Sequence, residues 1–372
     1  MQYDSRVKRQ VELFTKTGEV TLCCHDADGL KVNKVEVQRT LRSLTGKLSA
    51  VVKIATGNYI DFYFETKYVN HALQQLTNNQ YDLIVANDLN ALPLAVELRN
   101  RQGSGKILFD AHEFSPLEFE DRWLWRIFLK RYTQWLARQF VPQTNAMTTV
   151  SWGVADAWKQ FCHADATVII NAPQKYDIYP QGVEKGKIRL IHHGGANRSR
   201  KLEAMIALMQ LLDERFTLDL VLIPGDRRYF EKLQSAAKPL GKRIRFLKPV
   251  PSREVPKLCN QYDLGIYLIP PVNHNYQLAL PNKFFEFIQG RIGVASYPIR
   301  EIAENINKFS CGIVSSQSTV ESMAESLNAL TEEDVWHFKQ NTCQAAEALC
   351  YEANLPRWKK VFQQLGISIC AA

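Results

Sequence analysis

Short apolar runs alternate along the chain with longer stretches whose apolar residues recur every three to four positions, the pattern of buried strands joined by amphipathic helices. In the first half, residues 19–24 (EVTLCC), 81–86 (YDLIVA), 106–110 (KILFD), 146–150 (AMTTV) and 167–170 (TVII) read as strands. Residues 68–76, 91–101 and 154–161 carry the helical period, and a long helical pattern covers 117–140. Residues 171–187 hold Pro173, Pro180, Gly182 and Gly186 without periodicity, the composition of a linker. A second series follows, with strands at 188–193, 218–223, 244–246, 264–268 and 293–296 and helices at 200–213, 228–238, 254–260 and 281–290. A helical tail at 335–365 carries Trp336, Tyr351, Trp358 and Phe362. Alternation of this kind predicts an α/β fold with parallel sheets. Two series around one linker predict two doubly wound, Rossmann-like domains, with ligand in the cleft at the carboxyl ends of both sheets. No repeat at periods of 20–50 residues replaces that reading with a solenoid.

Length agrees with two domains: 372 residues, of which 46% are apolar and 23% charged, suffice for two ordinary cores. No apolar run is long enough to span a bilayer, and the start, MQYDSRVKRQ, lacks an apolar signal core, so the sequence reads as cytoplasmic. The eight cysteines form no CxxC pair and no zinc spacing, which suits reduced thiols and no structural metal. A net charge of +8 favours anionic partners. Because the basic residues are dispersed and no nucleic-acid module is present, a nucleic acid is not among the expected ones.

Two constellations carry chemistry. In 280–294 (LPNKFFEFIQGRIGV), Pro281 suits a first helical turn, and Lys283, Glu286 and Gly290 then share one face. A cation, a carboxylate and a glycine on one face suit a sugar diphosphate: Lys283 for phosphate, Glu286 for hydroxyls, Gly290 for close packing. A solvated Lys/Glu pair would carry the same spacing. In 188–202 (IRLIHHGGANRSRKL), an apolar strand ends in Gly194 and Gly195, and a helix is expected to begin near Arg200. Glycines at a strand end open the backbone to an anion, a helix start adds partial positive charge, and Arg198, Arg200 and Lys201 add full charge. A plain strand–helix turn with a basic rim is the competing reading. GxGxxG is absent there, which argues against a dinucleotide cofactor, and no other cofactor is expected.

Together these motifs resemble the glycosyltransferase family 4-like group of bacterial enzymes, whose fold is the two-domain GT-B architecture. Pro281-Asn282-Lys283, Glu286, Phe287 and Gly290 resemble its PNK-x-x-E helix; Gly194-Gly195 with Arg200-Lys201-Leu202-Glu203 resembles its GG…RGLE segment. Asp4-Ser5-Arg6-Val7, Asp110-Ala111-His112-Glu113, residues 168–173 (VIINAP) and residues 246–250 (FLKPV) resemble further family motifs in the same order. The resemblance implies a retaining, metal-independent transfer of sugar from a nucleotide-sugar donor to a glycan or lipid-linked acceptor, in bacterial surface-polysaccharide assembly (capsule, O-antigen or exopolysaccharide). It implies a domain of residues 1–172, a linker at 173–187, a donor domain at 188–355 and a final helix at 356–372 that returns to the first domain. It implies that Arg200 and Lys283 bind the diphosphate, with Gly194, Gly195, Arg198 and Asn282 around them. Glu286 holds the ribose, Lys248 and Val250 meet the base, and His112 or Glu113 contacts the transferred sugar or the acceptor hydroxyl.

The sequence also departs from the family. Members often carry a glutamate eight positions before Glu286; Leu278 stands there, so Asn273, His274, Asn275 or Gln277 is the substitute expected to reach the sugar. Lys248 replaces a common glycine, and a strand usually precedes the first helix, implying either a missing segment or a sheet without that edge. Asp26-Ala27-Asp28 is the only Asp-x-Asp triplet and lies away from the donor motifs. The stretch 117–140 mixes Trp123, Trp125, Phe128, Trp135 and Phe140 with Arg122, Arg126, Lys130, Arg131 and Arg138. Such a helix either lies on an anionic membrane face or buries its aromatics in a core. A non-catalytic nucleotide-sugar-binding subunit and a nucleotide-sugar epimerase of the same fold are the rival functions.

Overall fold

The protein is described in a computed structural model at residues 5–25, 30–38, 43–278 and 280–367. It divides into two compact units, one running through Ile169 with Asn273–Asn275 and the chain from Pro356, the other comprising Ile170–Val272 and Tyr276–Leu355.

The first unit contains α1 (Ser5–Phe14), β1 (Thr21–Cys24), β2 (Asn33–Glu36), α2 (Leu44–Thr56), α3 (Tyr59–Phe64), α4 (Lys67–Leu76), β3 (Leu83–Asn87), α5 (Leu92–Gln102), β4 (Lys106–Ala111), α6 (Trp123–Phe128), α7 (Lys130–Phe140), β5 (Ala146–Thr149), α8 (Trp152–Cys162) and β6 (Thr167–Val168). Strands β3-β4-β5-β6 form a parallel sheet in that order. The expected strand at 19–24 does not join it: β1 pairs in parallel with β2 as a separate ribbon. Residues 30–66, unread in the sequence, supply β2, α2 and α3.

The single helix expected over 117–140 is broken. A 3₁₀ turn at Ser115–Leu117 precedes α6, and Leu129 separates α6 from α7. The break has a packing reason. In one continuous helix, Leu124 and Phe128 would share a face with Tyr132 and Leu136. Here Tyr132, Leu136, Ala137 and Phe140 are buried, while Trp123, Leu124, Ile127 and Phe128 are exposed.

In the second unit follow β7 (Ile188–Gly195), α9 (Glu203–Leu211), β8 (Phe216–Ile223), α10 (Arg227–Ala237), β9 (Ile244–Leu247), α11 (Val255–Cys259), β10 (Leu264–Tyr267), α13 (Asn282–Gln289), β11 (Gly293–Ser296), α14 (Arg300–Phe309), β12 (Gly312–Val314), α15 (Val320–Asn328) and α16 (Glu332–Ala348); α12 (His274–Gln277) is divided between the units after Asn275, and α17 (Leu355–Leu365), from Pro356 on, belongs to the first. The helical tail is thus two helices, α16 and α17, and β12, α14 and α15 are additions to the sequence reading. All six strands are parallel, in the order β12-β11-β10-β7-β8-β9. Order reverses between β7 and β10, the switch point at which open α/β sheets take ligands beyond the strand ends. The core beneath is aliphatic, built on residues such as Leu190, Leu218, Leu264 and Ala295.

Residues 170–187 form neither helix nor strand, yet hold firmly to the second unit. Tyr176 N donates to Gln289 Oε1 at 3.1 Å, and Arg291 Nη2 donates to the Tyr176 carbonyl at 2.9 Å. In the first unit, α17 lays Trp358 and Phe362 against Phe14 of α1. Among the described residues no helix is long and apolar enough to cross a membrane.

Candidate functional site

In the second unit the end of β7 is the focus. Gly194 has φ +118°, a conformation that side chains rarely adopt. A methyl group there would lie 2.7 Å from Lys283 Nζ and 3.3 Å from Arg200 Nη1, so both cations converge on the bare glycine. Arg200 is steadied by donating from Nη1 to the Gly195 carbonyl at 3.1 Å. The expected helix start at Arg200 is corrected: residues Arg198–Arg200 form a 3₁₀ turn, Lys201 adopts φ +46°, and α9 begins only at Glu203. Arg200 therefore reaches Gly194 from a turn, without a helix terminus behind it.

Lys283 comes from α13, and the solvated-helix reading fails there. The helix is buried on nearly all sides, Lys283 being only 8% exposed. It is drawn inward because Gly265 of β10 and Gly290 omit side chains. A methyl on Gly265 would strike the Phe287 ring at 2.3 Å, and one on Gly290 would strike Cys259 Cβ at 2.6 Å. Burial, reinforced by the Arg200 charge and only partly offset by Glu286, brings the Lys283 ammonium down to about 7. Burial and the same two cations depress His193 to about 3, so its imidazole is neutral. His193 Nε2 stands 3.4 Å from Glu286 Oε2. The neighbouring His192 anchors its Nδ1 to the Ile266 carbonyl at 2.8 Å and leaves Nε2 buried without a partner. Two cations, a carboxylate and neutral imidazoles at a switch point suit a polyanion with hydroxyl groups attached.

Not every expected donor residue joins this cluster. Arg198 is turned to solvent, donating to Asp226 Oδ2 at 2.7 Å and lying over the Tyr229 ring. Lys248 is exposed and Val250 half-buried beyond the end of β9. Asn282 accepts from Asn171 Nδ2 at 2.8 Å. Asn275 belongs with the first unit: its amide spans the Phe114 backbone, accepting from N at 2.9 Å and donating to O at 3.3 Å.

The first unit holds a separate polar cluster at the end of β4. Asp110 is fully buried and receives Arg6 through Nε at 2.7 Å and Nη2 at 2.5 Å, Gln10 at 2.5 Å and Thr148 at 2.5 Å. Burial works hardest against ionisation, but the charge and hydrogen bonds of Arg6, with His112, hold the carboxyl far below its ordinary range. His112 Nε2 lies 3.0 Å from Asp110 Oδ2, and its Nδ1 lies 3.5 Å from Asp88 Oδ2. Burial disfavours the imidazolium most strongly; the bond and charge of Asp110 and the charge of Asp88 outweigh it, so His112 is raised. Beside it, burial and then the charge and hydrogen bond of Glu118 push the Glu113 carboxyl well up, leaving a protonated acid at neutral pH. Glu113 thus keeps its proton at neutral pH, and His112 holds its own more tightly than an ordinary imidazole does.

Asp88 is the residue that sequence reading missed. It sits just past β3 at φ +66° and ψ 159°, a strained conformation for a side chain, and accepts from His112 N at 3.1 Å. No glycine or motif marks the position. Among the described residues no group of His, Cys, Asp and Glu is arranged to hold a metal, and the Asp26-Ala27-Asp28 triplet and Asp4 lie outside those residues.

No protein-family model and no curated protein matches the sequence. Solved structures do match its fold. Sucrose-phosphate synthase from Thermosynechococcus elongatus is 13% identical, with a TM-score of 0.74 over 97% of this chain and 92% of its own. HepE of Anabaena, solved with UDP and glucose, is 14% identical, with a TM-score of 0.67 over 92% of this chain and 91% of its own. The UDP-forming α,α-trehalose-phosphate synthase of Burkholderia vietnamiensis is 12% identical, with a TM-score of 0.61 over 87% and 85%. The chain has the α/β, GT-B fold class of these glycosyltransferases.

Proposed function

We propose that the chain is a retaining, metal-independent glycosyltransferase that moves a sugar from a nucleotide-sugar donor to a glycan or lipid-linked acceptor in bacterial surface-polysaccharide assembly. The observation that carries this reading is the convergence of Lys283 and Arg200 on Gly194, with Glu286 near by. In the proposed reaction the bond from the anomeric carbon to the diphosphate breaks, and its electron pair stays on phosphate oxygen. The acceptor oxygen bonds the anomeric carbon and passes its proton to the departing diphosphate oxygen. Charge grows on the leaving diphosphate, and preorganised cations in a water-poor site stabilise it, the work a metal ion does elsewhere. We assign Glu286 to the ribose, and His112 and Glu113 to the acceptor side. The fold shared with UDP-forming synthases supports the choice of donor class.

The test is calorimetric titration of the protein with UDP, GDP and ADP, each with and without EDTA. One nucleoside diphosphate is expected to bind and to raise stability by about 2.7 kcal/mol at a hundredfold excess over Kd. EDTA is expected to change neither that binding nor turnover with the matching nucleotide-sugar. Activity lost in EDTA and restored by magnesium would refute metal independence, and absence of binding to any diphosphate would refute the donor site. Interconversion of nucleotide-sugars without acceptor would make the protein an epimerase instead.

We place the acceptor at the cytoplasmic face of an anionic membrane, met by α6. Trp123 is 60% exposed, with Leu124, Ile127 and Phe128 also open and Arg122, Arg126 and Arg131 exposed around them, whereas Trp125 is buried. Each basic residue near an anionic surface contributes about 1 kcal/mol, and the apolar side chains add burial. The protein is expected to co-sediment with phosphatidylglycerol vesicles at low salt and to release at high salt, and Ile127→Glu is expected to lose the binding. Indifference to such vesicles at low salt would leave α6 as scaffold only.

A further inference from the structure

His193 lies in β7 just before the glycine on which Lys283 and Arg200 converge. Its side chain is 7% exposed, and its main chain is held in the sheet opposite Val221 of β8. On the other side, β7 pairs with β10 through Leu190 and Ile191. Beyond them the His192 ring takes over, donating from Nδ1 to the Ile266 carbonyl at 2.8 Å. The ladder thus ends beside His193, at the mouth of the switch point. The Phe287 ring meets the His193 imidazole edge to face, with centroids 5.2 Å apart and planes at 77°, and so fixes the plane of the ring.

In that plane Nε2 faces a carboxylate that it falls just short of. Glu286 Oε2 is 3.4 Å away, whereas an N–H···O bond usually spans about 2.7–3.2 Å. Among the described residues, Nε2 is buried without a hydrogen-bond partner. Burial, then the charges of Lys283 and Arg200, keep the ring neutral. A neutral imidazole carries one N–H, and the carboxylate opposite places it on Nε2. A buried donor left open costs stability, and a small turn of the Glu286 carboxylate closes the bond. Glu286 keeps 18% of its side chain exposed, so a solute can meet the carboxylate from its open side while His193 stands behind it.

We propose that His193 is a positioning residue for the donor's ribose: its Nε2–H closes onto Glu286 when the nucleotide binds and leaves the remaining carboxylate lone pairs facing the two ribose hydroxyls. The inference rests on the assignment of Glu286 to the ribose and says what makes that contact selective. An acceptor fixed from behind stays unpaired when a hydroxyl is missing, whereas a carboxylate free to turn finds another partner. The held carboxylate therefore discriminates ribose from 2′-deoxyribose.

The test is calorimetric titration of the full chain with UDP and 2′-deoxy-UDP, and with the corresponding guanosine and adenosine pairs. The wild-type protein is expected to prefer the ribose form by about tenfold or more. His193→Phe keeps a flat ring against Phe287 and removes the donor. It is expected to weaken the ribose form alone and to bring the preference within about threefold. His193→Gln, whose amide N–H takes the place of Nε2–H, is expected to restore most of it. In Glu286→Gln, adding His193→Phe should change the preference no further, whereas two independent effects would add. Should His193→Phe fail to fold, His193→Leu, smaller in the same space, carries the comparison. A preference unchanged in a folded variant, or equal weakening of both forms, overturns the proposal and leaves the donor site in place. A wild-type protein that binds both forms equally takes the ribose away from Glu286 and overturns the role of His193 with it. Absence of binding by every nucleotide sinks the donor reading itself.

Discussion

Lys283→Met is expected to make the empty protein more stable and the enzyme nearly inactive. Burying an ammonium beside Arg200 is unfavourable in the apo state, as the fall of its pKa to about 7 records. A methionine of similar length removes that charge and keeps the packing. The anionic donor loses one of its two clamps, and turnover is expected to drop by roughly a hundredfold to a thousandfold. A structural lysine would lose stability and activity together, so a thermal melt of the apo protein beside an assay of transfer separates the two accounts. Lower stability with near-normal turnover would refute the assignment.

The same group gives a pH signature. In the unfolded chain lysine keeps its proton to about 10.4, whereas here it loses it near 7. Between those values the unfolded state binds more protons, so this group makes apo stability rise with pH across that window. The proposed clamp uses the ammonium, so affinity is expected to fall as pH rises above 7. Calorimetry in buffers of different ionisation enthalpy should then show proton uptake on nucleotide binding at pH 8 and little at pH 6.

What the sequence disclosed follows from which interactions are local. The second sheet was legible because its buried strands, such as Gly293–Ser296, are continuous apolar runs bounded by turn residues. Lys283 and Glu286 were legible as a pair because helical spacing is local. Burial of Lys283 was not, since it depends on Gly265, eighteen positions away, giving room to Phe287. Arg200 was read near a helix start, after the glycines that end the strand; the left-handed turn at Lys201 carries no glycine to announce it. Residues 30–66 gave no reading because α2 buries no apolar stripe: Leu48, Val51 and Val52 are exposed, and Ala50 alone of its described side chains is buried. A periodicity search assumes that the apolar face is the buried one, and this helix violates the assumption. Asp88 is set by tertiary strain alone, and Asn275, expected near the sugar, spends its amide on the Phe114 backbone.

The buried ion pair of the first unit leads to the second large effect. Arg6→Met leaves the Asp110 carboxylate without its counter-charge and is expected to cost about 3–5 kcal/mol. Arg6 also donates to the Ile169 carbonyl at 2.5 Å, so the loss loosens the end of that unit as well. Urea unfolding followed by tryptophan fluorescence reads the change, because Trp125, Trp158 and Trp358 are buried in this unit. Asp110→Asn should be milder, and the double variant should cost less than the sum, the mark of a coupled pair. The pH profile separates Asp110 from its partner His112. Its own folded pKa is depressed, so its contribution is present above the unfolded value of 3.8 and fades as pH falls below it. His112 is raised above 6.5, so its contribution is full below 6.5 and fades as pH climbs through the folded value. In Asp110→Asn both slopes should flatten, and the His112 ring should titrate at lower pH by NMR. An unchanged His112 titration would show that Asp110 is only the socket for Arg6. A lowered one, with transfer activity falling at neutral pH while UDP affinity holds, would show that it also sets the proton on the acceptor-side histidine.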